Sequence, residues 1–252
     1  MGNMIVCGLN LNIAWKNKEL NFNNIEKELR NSEADLFVLP EMFSTGFVME
    51  PEKIADQNEE TLTWMKKFAA EKNAAVCGSV SVQENNLFYN RFYFVEPSGN
   101  YHEYDKKHLF SYSGEDEKYA AGKERVIVNY KGWRILLQVC YDLRFPVFAR
   151  NNKDYDAILY VANWPEKRVD AWNTLLKARA IENQSYVFGL NRIGTDGNDL
   201  HYLESSNCFF ADGTEVSDHK DNLVFADFNV ENLTQFRETF PFLGDADEFQ
   251  LL

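Results

Sequence analysis

Short apolar strand patterns and amphipathic helix patterns alternate along the whole chain of 252 residues, and this alternation is the strongest constraint on its fold. Helical periodicity predicts helices over residues 22–33, 61–73, 170–183 and 230–240, with Thr61 and Asp170 as N-caps. Strands are predicted over residues 4–12, 36–39, 75–82, 87–95, 101–105, 125–129, 134–139, 157–162, 185–193, 207–211 and 223–228. This order is typical of a layered α/β domain, in which helices cover mixed sheets.

Consecutive hairpins distinguish the chain from a simple doubly wound protein. Polar turns at residues 84–86 and 97–100 join three successive strands, and Lys131-Gly132 is a turn between two more. Two sheets packed face to face with helices outside accommodate these hairpins better than one parallel sheet does. No linker or change of composition divides the chain. We therefore expect one domain over residues 1–252, with a core at about 4–229 and a C-terminal helix and tail at 230–252.

The acidic balance of the chain limits the classes of partner. The formal net charge is −13, and a field of that sign repels the phosphates of nucleic acid and anionic lipid surfaces. No apolar run reaches the roughly 18 to 20 residues that span a bilayer, and the run at residues 4–11 lacks the basic flank of a signal peptide. Four widely spaced cysteines argue against a zinc site and against a disulfide framework. These features predict a cytoplasmic protein without a metal site.

Three residues with chemical potential stand where predicted strands end. Glu41 follows the strand at 36–39, Lys106 follows the strand at 101–105, and Cys140 follows the strand at 134–139. Sites of α/β proteins lie at such strand ends. A thiol can attack a carbonyl carbon, a carboxylate can move protons and an ammonium can stabilise negative charge. Together they predict acyl transfer.

Each of these residues also has a purely structural interpretation. An isolated cysteine after an apolar run is usually a small buried hydrophobe, and this interpretation is kept for Cys7, Cys77 and Cys208. The surroundings of Cys140 favour catalysis, because the chain turns there from apolar to charged and Pro146 predicts a helix start soon after. A sharp strand-to-helix turn exposes a thiol to backbone N–H groups and to a positive helix end.

Six short segments carry a resemblance to a known family. They are residues 39–43 (LPEMF), 104–110 (YDKKHLF), 139–146 (VCYDLRFP), 162–165 (ANWP), 179–184 (RAIENQ) and 191–194 (NRIG). In this order and spacing the chain resembles the nitrilase (carbon–nitrogen hydrolase) superfamily over roughly residues 4–229. More narrowly, it resembles the omega-amidase branch, which hydrolyses 2-oxoglutaramate and similar ω-amides.

The resemblance implies a fold, a catalytic set and an assembly. It implies a four-layer αββα sandwich of two mixed sheets, no metal or organic cofactor, and a homodimer acting on a small-molecule amide. It places the catalytic triad on Glu41, Lys106 and Cys140, with Lys106 preferred over Lys107 because the family lysine stands two residues before a His-Leu pair.

The remaining site residues follow from the same resemblance. A second glutamate seven positions before a glycine points to Glu115, with Glu117 as the competitor. The backbone N–H of Tyr141 would hold the oxyanion. Arg144 would bind a substrate carboxylate unless it pairs with Asp142, since a guanidinium grips a carboxylate through two parallel bonds. Trp164 would form an apolar wall.

Several functions share these residues or this fold. Another hydrolase of the superfamily, acting on an N-carbamoyl compound, an aliphatic amide or a nitrile, would use the same triad. A non-catalytic binding protein could keep the fold, although no triad member is missing. A metal-dependent phosphodiesterase on a similar sandwich is disfavoured, because the four histidines show no metal-ligand spacing.

Overall fold

A computed structural model describes residues 2–247 of the chain, and two β-sheets form its centre. Its strands are β1 (Met4–Leu9), β2 (Leu36–Val38), β3 (Ala75–Glu84), β4 (Leu87–Val95), β5 (Tyr101–Asp105), β6 (Ile127–Tyr130), β7 (Trp133–Val139), β8 (Ala157–Ala162), β9 (Tyr186–Asn191), β10 (Gly194–Thr195), β11 (His201–Tyr202), β12 (Asn207–Phe209), β13 (Asp218–Lys220) and β14 (Leu223–Phe228). Its α-helices are α1 (Lys18–Glu28), α2 (Glu60–Lys72), α3 (Glu115–Lys118), α4 (Pro146–Ala149), α5 (Val169–Asn183) and α6 (Val230–Thr239).

Both large sheets are mixed, and each has three parallel strands at its centre. The seven-stranded sheet has the order β13-β14-β1-β2-β3-β4-β5, with β1, β2 and β3 parallel. The five-stranded sheet has the order β12-β9-β8-β7-β6, with β7, β8 and β9 parallel. Antiparallel strands flank each parallel trio, and β10 and β11 form a separate small ribbon. Within each sheet, the carboxyl ends of the parallel strands lie at the same edge. The residues that follow β2 and β7 therefore lie at these edges.

Alternation along the strands explains the layers. On β2, Leu36 and Val38 belong to the core between the two sheets, whereas Phe37 and the following Leu39 pack in a second core under α1 and α2. Successive strand residues point to opposite faces, so one apolar strand serves both cores. Helix α5 covers the other sheet so closely that a Cβ at Gly189 would lie 2.3 Å from a methyl carbon of Leu176. The predicted four-layer αββα sandwich is confirmed.

Helices α1 and α2 begin earlier than predicted. Helix α1 begins at Lys18 rather than at residue 22, because the Asn17 side chain accepts a hydrogen bond from the Leu20 N–H. Helix α2 begins at Glu60, so Thr61 lies inside it and the predicted cap at Thr61 is wrong. The Thr61 N–H donates instead to Asp56, at 2.6 Å. A cap from a residue outside the helical pattern leaves no local sequence signal.

Helix α5 also begins earlier than predicted. It starts at Val169, which places Asp170 in the first turn and makes the predicted cap wrong. The apolar periodicity of residues 170–183 predicts an inward-facing Ile181, but this side chain is 47% exposed.

The C-terminal segment is more structured than the predicted tail. After α6, a 3-10 turn follows at Phe242–Asp245. Residues 248–252, the last part of that predicted tail, lie outside the described residues. Within residues 2–247, no helix combines the length and the apolar character that a membrane crossing requires.

Candidate active site

Cys140 occupies a strained turn between strand and helix. Strand β7 ends at Val139, and a 3-10 helix begins at Cys140 itself, which adopts a left-handed φ of +46°. Such a conformation costs roughly 1–3 kcal/mol for a residue with a side chain, and it persists only where the surroundings enforce it. The helix that Pro146 predicted is α4, which begins at that residue. The 3-10 turn at Cys140 precedes it, and the thiol stands at this turn.

Asp142 holds this turn in place. Its buried carboxylate accepts hydrogen bonds from the Val139 N–H at 2.9 Å and from the Tyr104 hydroxyl at 2.8 Å. It also accepts from the His108 backbone N–H at 2.9 Å, and the His108 ring lies 2.8 Å away. These bonds tie the turn of Cys140 to the end of β5. With its acceptors used in this way, Asp142 forms no ion pair with Arg144, so that structural alternative for Arg144 is wrong.

Lys106 is fixed on both sides of its backbone. Its N–H donates to the Asn90 carbonyl at 3.0 Å, and its carbonyl accepts from the Gly122 N–H at 2.9 Å. A Cβ at Gly122 would lie 2.0 Å from the Asp105 carbonyl oxygen, so only glycine permits this approach. The glycine that pointed to Glu115 in the sequence thus packs against the strand end that presents Lys106.

The Lys106 ammonium is enclosed by two carboxylates. Its Nζ lies 2.9 Å from Glu41 Oε1 and 2.8 Å from Glu115 Oε2, and all three side chains are fully buried. Lys107 is only partly buried and Glu117 is exposed. The structure therefore brings Glu41, Lys106 and Glu115 together, and it leaves Lys107 and Glu117 outside the cluster.

Two asparagines complete this cluster, and sequence reasoning assigned no role to either. The Asn90 side chain donates to Glu41 at 2.8 Å and to Glu115 at 3.1 Å. The Asn163 backbone N–H donates to the other oxygen of Glu41 at 2.9 Å. Asn163 lies in a segment that carried the resemblance, and Asn90 is a polar residue within the largely apolar strand β4. Both features can be read from the sequence, and each could have indicated a buried polar residue near the site.

Burial has different consequences for the thiol and the amine. Burial, and then the charge of Glu41, raises the pKa of the Cys140 thiol well above its usual value, against an opposing effect of Lys106. Burial alone would lower the pKa of Lys106, but the charges of Glu115 and Glu41 outweigh it and raise that pKa. Burial also raises the pKa of Glu115, while Lys106 opposes the rise. At neutral pH the thiol is protonated and the amine is charged.

A cavity of about 540 Å³ borders this cluster, because Asn163 and Phe47 line it and also contact Glu41 and Lys106. Cys140 lines it and is 9% exposed, and Asn163 lies beside it. Six aromatic residues form much of the wall: Trp15, Phe47, Phe110, Tyr141, Trp164 and Tyr202. The Lys106 ammonium lies 5.3 Å from the centre of the Phe47 ring, directly behind this wall. A cavity with a largely aromatic wall that also carries polar and charged side chains is typical of a small-molecule site.

The three predicted substrate-binding residues all line the cavity. The N–H of Tyr141 lies in the first turn of the 3-10 helix, where it has no acceptor within the helix. The Arg144 guanidinium lies 5.1 Å from the centre of the Trp164 ring. Trp164 is nearly buried, and its indole N–H donates to the Arg168 carbonyl at 2.7 Å. Sequence reasoning did not single out Arg168, which also lines the cavity.

His, Cys, Asp and Glu side chains are the usual metal ligands of proteins. No group of three or more of them that could hold a metal ion occurs in residues 2–247.

Comparison with known proteins identifies the family. The sequence profile of the carbon–nitrogen hydrolases matches residues 6–238. The chain belongs to the carbon–nitrogen hydrolase family. This confirms the resemblance seen in the six short segments.

Individual carbon–nitrogen hydrolases are similar over nearly the whole chain. An omega-amidase of Escherichia coli (strain K12) is 44% identical over 95% of both chains. A 2-oxoglutaramate amidase of Bacillus subtilis (strain 168) is 32% identical, over 88% of this chain and 87% of the relative. A crystal structure of a superfamily protein from Xanthomonas campestris, with an arsenic adduct in its active site, aligns over 100% of both chains with a TM-score of 0.95 and 38% identity.

Proposed function

We propose that the protein is an omega-amidase, which hydrolyses the terminal amide of a small dicarboxylate monoamide such as 2-oxoglutaramate to the acid and ammonia. The observation that carries this proposal is the buried Glu41–Lys106–Glu115 cluster, which borders a cavity that is lined by Cys140 and by two guanidinium groups. The E. coli and B. subtilis relatives, whose names state this activity, support it.

In the first half of the reaction, the Cys140 sulfur attacks the amide carbon while Glu41 takes the thiol proton. A base is required because the raised pKa of Cys140 keeps the thiol protonated. The oxyanion accepts hydrogen bonds from Lys106 and from the Tyr141 N–H. Glu41 then returns the proton to the leaving nitrogen, the C–N bond breaks, and ammonia departs from a thioester on Cys140.

In the second half, water replaces ammonia. Glu41 takes a proton from water as its oxygen attacks the thioester carbon, and the same two donors hold the oxyanion. The C–S bond breaks, and the proton held by Glu41 returns to the sulfur. The neighbouring carboxylates raise the pKa of Lys106, so we assign it charge stabilisation rather than proton transfer.

Glu115 is assigned the role of orienting Lys106. It receives two bonds from the Lys106 ammonium and one from the Phe110 N–H. Replacement Glu115→Gln is expected to lower kcat by about 10- to 100-fold, because Lys106 loses one of the two charges that position it. Replacement Glu117→Gln, two residues away and exposed, is the matched control and should stay within about twofold. Equal effects of the two replacements on ammonia release would contradict the assignment.

The substrate carboxylate is expected to bind Arg144. A guanidinium can form two parallel bonds to it, and the Trp164 ring supports the guanidinium from one side. This contact distinguishes an ω-amide of a dicarboxylate from an uncharged aliphatic amide of the same length.

A substrate panel tests the proposed function. For the wild-type protein, kcat/KM for ammonia release from 2-oxoglutaramate is expected to exceed that for pentanamide by about 100-fold or more, because pentanamide lacks the carboxylate. An N-carbamoyl amino acid and an aliphatic nitrile serve as comparison substrates. Preference for either of these, or no hydrolysis of 2-oxoglutaramate, would reject the proposal.

We further propose that the enzyme acts as a homodimer in the cytoplasm. Apolar side chains are exposed on α4, on α5 and after α6, among them Val147, Ile181 and Phe242, and burying them in an interface would favour association. All four cysteines are free, as expected in a reducing compartment. A light-scattering mass close to the chain mass of 29.3 kDa would contradict the dimer.

A further inference from the structure

The charged residues around the cavity divide into paired and unpaired groups. Lys16 and Glu50 form an ion pair at 2.5 Å. Asp196 accepts a hydrogen bond from the Tyr202 hydroxyl at 2.9 Å and others from backbone N–H groups. Within the described part of the chain, Arg144 and Arg168 form no ion pair with a carboxylate. Two permanent positive charges therefore face the cavity of a protein whose net charge is −13.

A closed series of contacts joins these two guanidinium groups. Arg144 stacks on the Trp164 ring, and the Trp164 indole N–H holds the Arg168 carbonyl. The Arg168 guanidinium in turn lies 5.2 Å from the centre of the Phe110 ring, and that ring lies 5.0 Å from the ring of Tyr141. Tyr141 stands next to Cys140 and three residues before Arg144. Both guanidinium groups therefore belong to the same part of the wall, next to the nucleophile turn.

Arg168 is the more enclosed of the two arginines. It is partly buried, whereas Arg144 is exposed. Its backbone is fixed at both ends, because its N–H donates to the Pro165 carbonyl at 2.9 Å and its carbonyl accepts from Trp164. A guanidinium that is pre-positioned and partly removed from water makes a stronger and more selective contact than one free in solvent.

We propose that Arg168 is a specificity-determining residue, the second guanidinium of a pair that binds the 2-oxo-carboxylate end of the substrate. The proposal rests on the proposed omega-amidase function and deepens it. A 2-oxo acid offers adjacent carboxylate and carbonyl oxygens, which two guanidinium groups bind together. A 2-amino acid of the same length carries an ammonium at that position, and two guanidinium groups repel it. The pair thus selects 2-oxo acid amides over 2-amino acid amides.

Steady-state kinetics with four amides tests this role. Arg168→Gln is expected to lower kcat/KM for 2-oxoglutaramate by about 10- to 100-fold, mainly through KM. The same replacement should change kcat/KM for glutamine by less than about threefold, because it removes both a contact to the carboxylate and a repulsion of the ammonium. For pentanamide, which has no carboxylate, kcat/KM should stay within about twofold of the wild-type value. For glutaramate, which lacks the 2-oxo group, kcat/KM should fall less than it does for 2-oxoglutaramate.

Two further replacements separate the guanidinium contact from other effects. Lys167→Gln removes the same charge from the adjacent, exposed residue and should leave all four amides within about twofold. Arg168→Lys keeps the charge but loses the planar fork, so 2-oxoglutaramate should fall by about 3- to 10-fold. If Arg168→Gln lowered kcat/KM for pentanamide in parallel, Arg168 would have a structural role and the proposal would be overturned. An unchanged ratio of the kcat/KM values for 2-oxoglutaramate and glutamine would also overturn it.

A binding measurement makes the outcome independent of turnover. By calorimetry, 2-oxoglutaramate should bind Cys140→Ala at least about tenfold more tightly than it binds Cys140→Ala/Arg168→Gln. If wild-type protein fails to hydrolyse 2-oxoglutaramate, the proposed function fails, yet this pair of variants still tests Arg168. Equal affinities of the two variants would overturn the role of Arg168 even where hydrolysis is observed.

Discussion

Replacing Cys140 with alanine is expected to abolish ammonia release from 2-oxoglutaramate, with turnover reduced by at least about 10⁴-fold. The sulfur is the atom that forms the thioester, and no other thiol lies in the cavity, since Cys7, Cys77 and Cys208 are fully buried in strands. Alanine carries a Cβ as cysteine does, so the left-handed backbone at position 140 costs the same in the variant and should be retained. The free energy of unfolding should therefore change by no more than about 1 kcal/mol.

Two measurements accompany this replacement. Mass spectrometry of the wild-type protein with a slow amide substrate should detect an acyl group on Cys140, and the variant should show none. Cys208→Ala is a matched control, because it removes a thiol outside the cavity and should keep kcat within about twofold. Turnover by Cys140→Ala above a tenth of the wild-type rate would reject Cys140 as the nucleophile.

Replacing Lys106 with methionine is expected to damage both stability and catalysis. The ammonium compensates two fully buried carboxylates, and removing one partner of a buried ion pair typically costs about 3–5 kcal/mol of unfolding free energy. Turnover should fall by at least about 100-fold, since the oxyanion loses its charged donor. Lys107→Met, at the adjacent and partly buried lysine, is the control and should change stability by about 0.5 kcal/mol or less.

The pH dependence of the Lys106→Met variant distinguishes charge from packing. Burial already raises the folded-state pKa of Glu115, and loss of Lys106 removes the charge that opposes this rise. A carboxyl group whose folded pKa lies above its unfolded value stabilises the protein below the unfolded value, and this contribution is lost as the pH rises. The stability deficit should therefore grow between about pH 5 and about pH 8 in denaturant titrations.

The double variant Lys106→Met/Glu115→Gln tests whether uncompensated carboxylate charge causes the loss of stability. It leaves one uncompensated carboxylate instead of two, so it should recover part of the lost stability without recovering turnover. A deficit in Lys106→Met that is independent of pH, or no recovery in the double variant, would indicate lost packing instead of uncompensated charge.

Periodicity predicted the layers of the fold because it reports which face of a strand or helix is apolar. Residues 157–162 and 223–228 were predicted with the bounds that β8 and β14 have, since short apolar runs between turns leave little ambiguity. Strands β10, β11 and β13 were missed, because two or three residues cannot show a period of two. The helix starts at Lys18 and Glu60 depend on side chains outside the apolar pattern.

The sequence by itself determined the family, the order of layers and the residues proposed for catalysis. Short motifs, and the residues that follow predicted strands, can be read directly from the order of amino acids. Only the tertiary structure decided which groups meet. Asn163 reaches Glu41 across 122 positions of the chain, and Asp142 uses its acceptors on β5 and its own turn, which leaves Arg144 free to face the cavity. Arg168 acquires its place there from Trp164 and Phe110. Such partners come from separate elements, so their distances arise only when the two sheets pack.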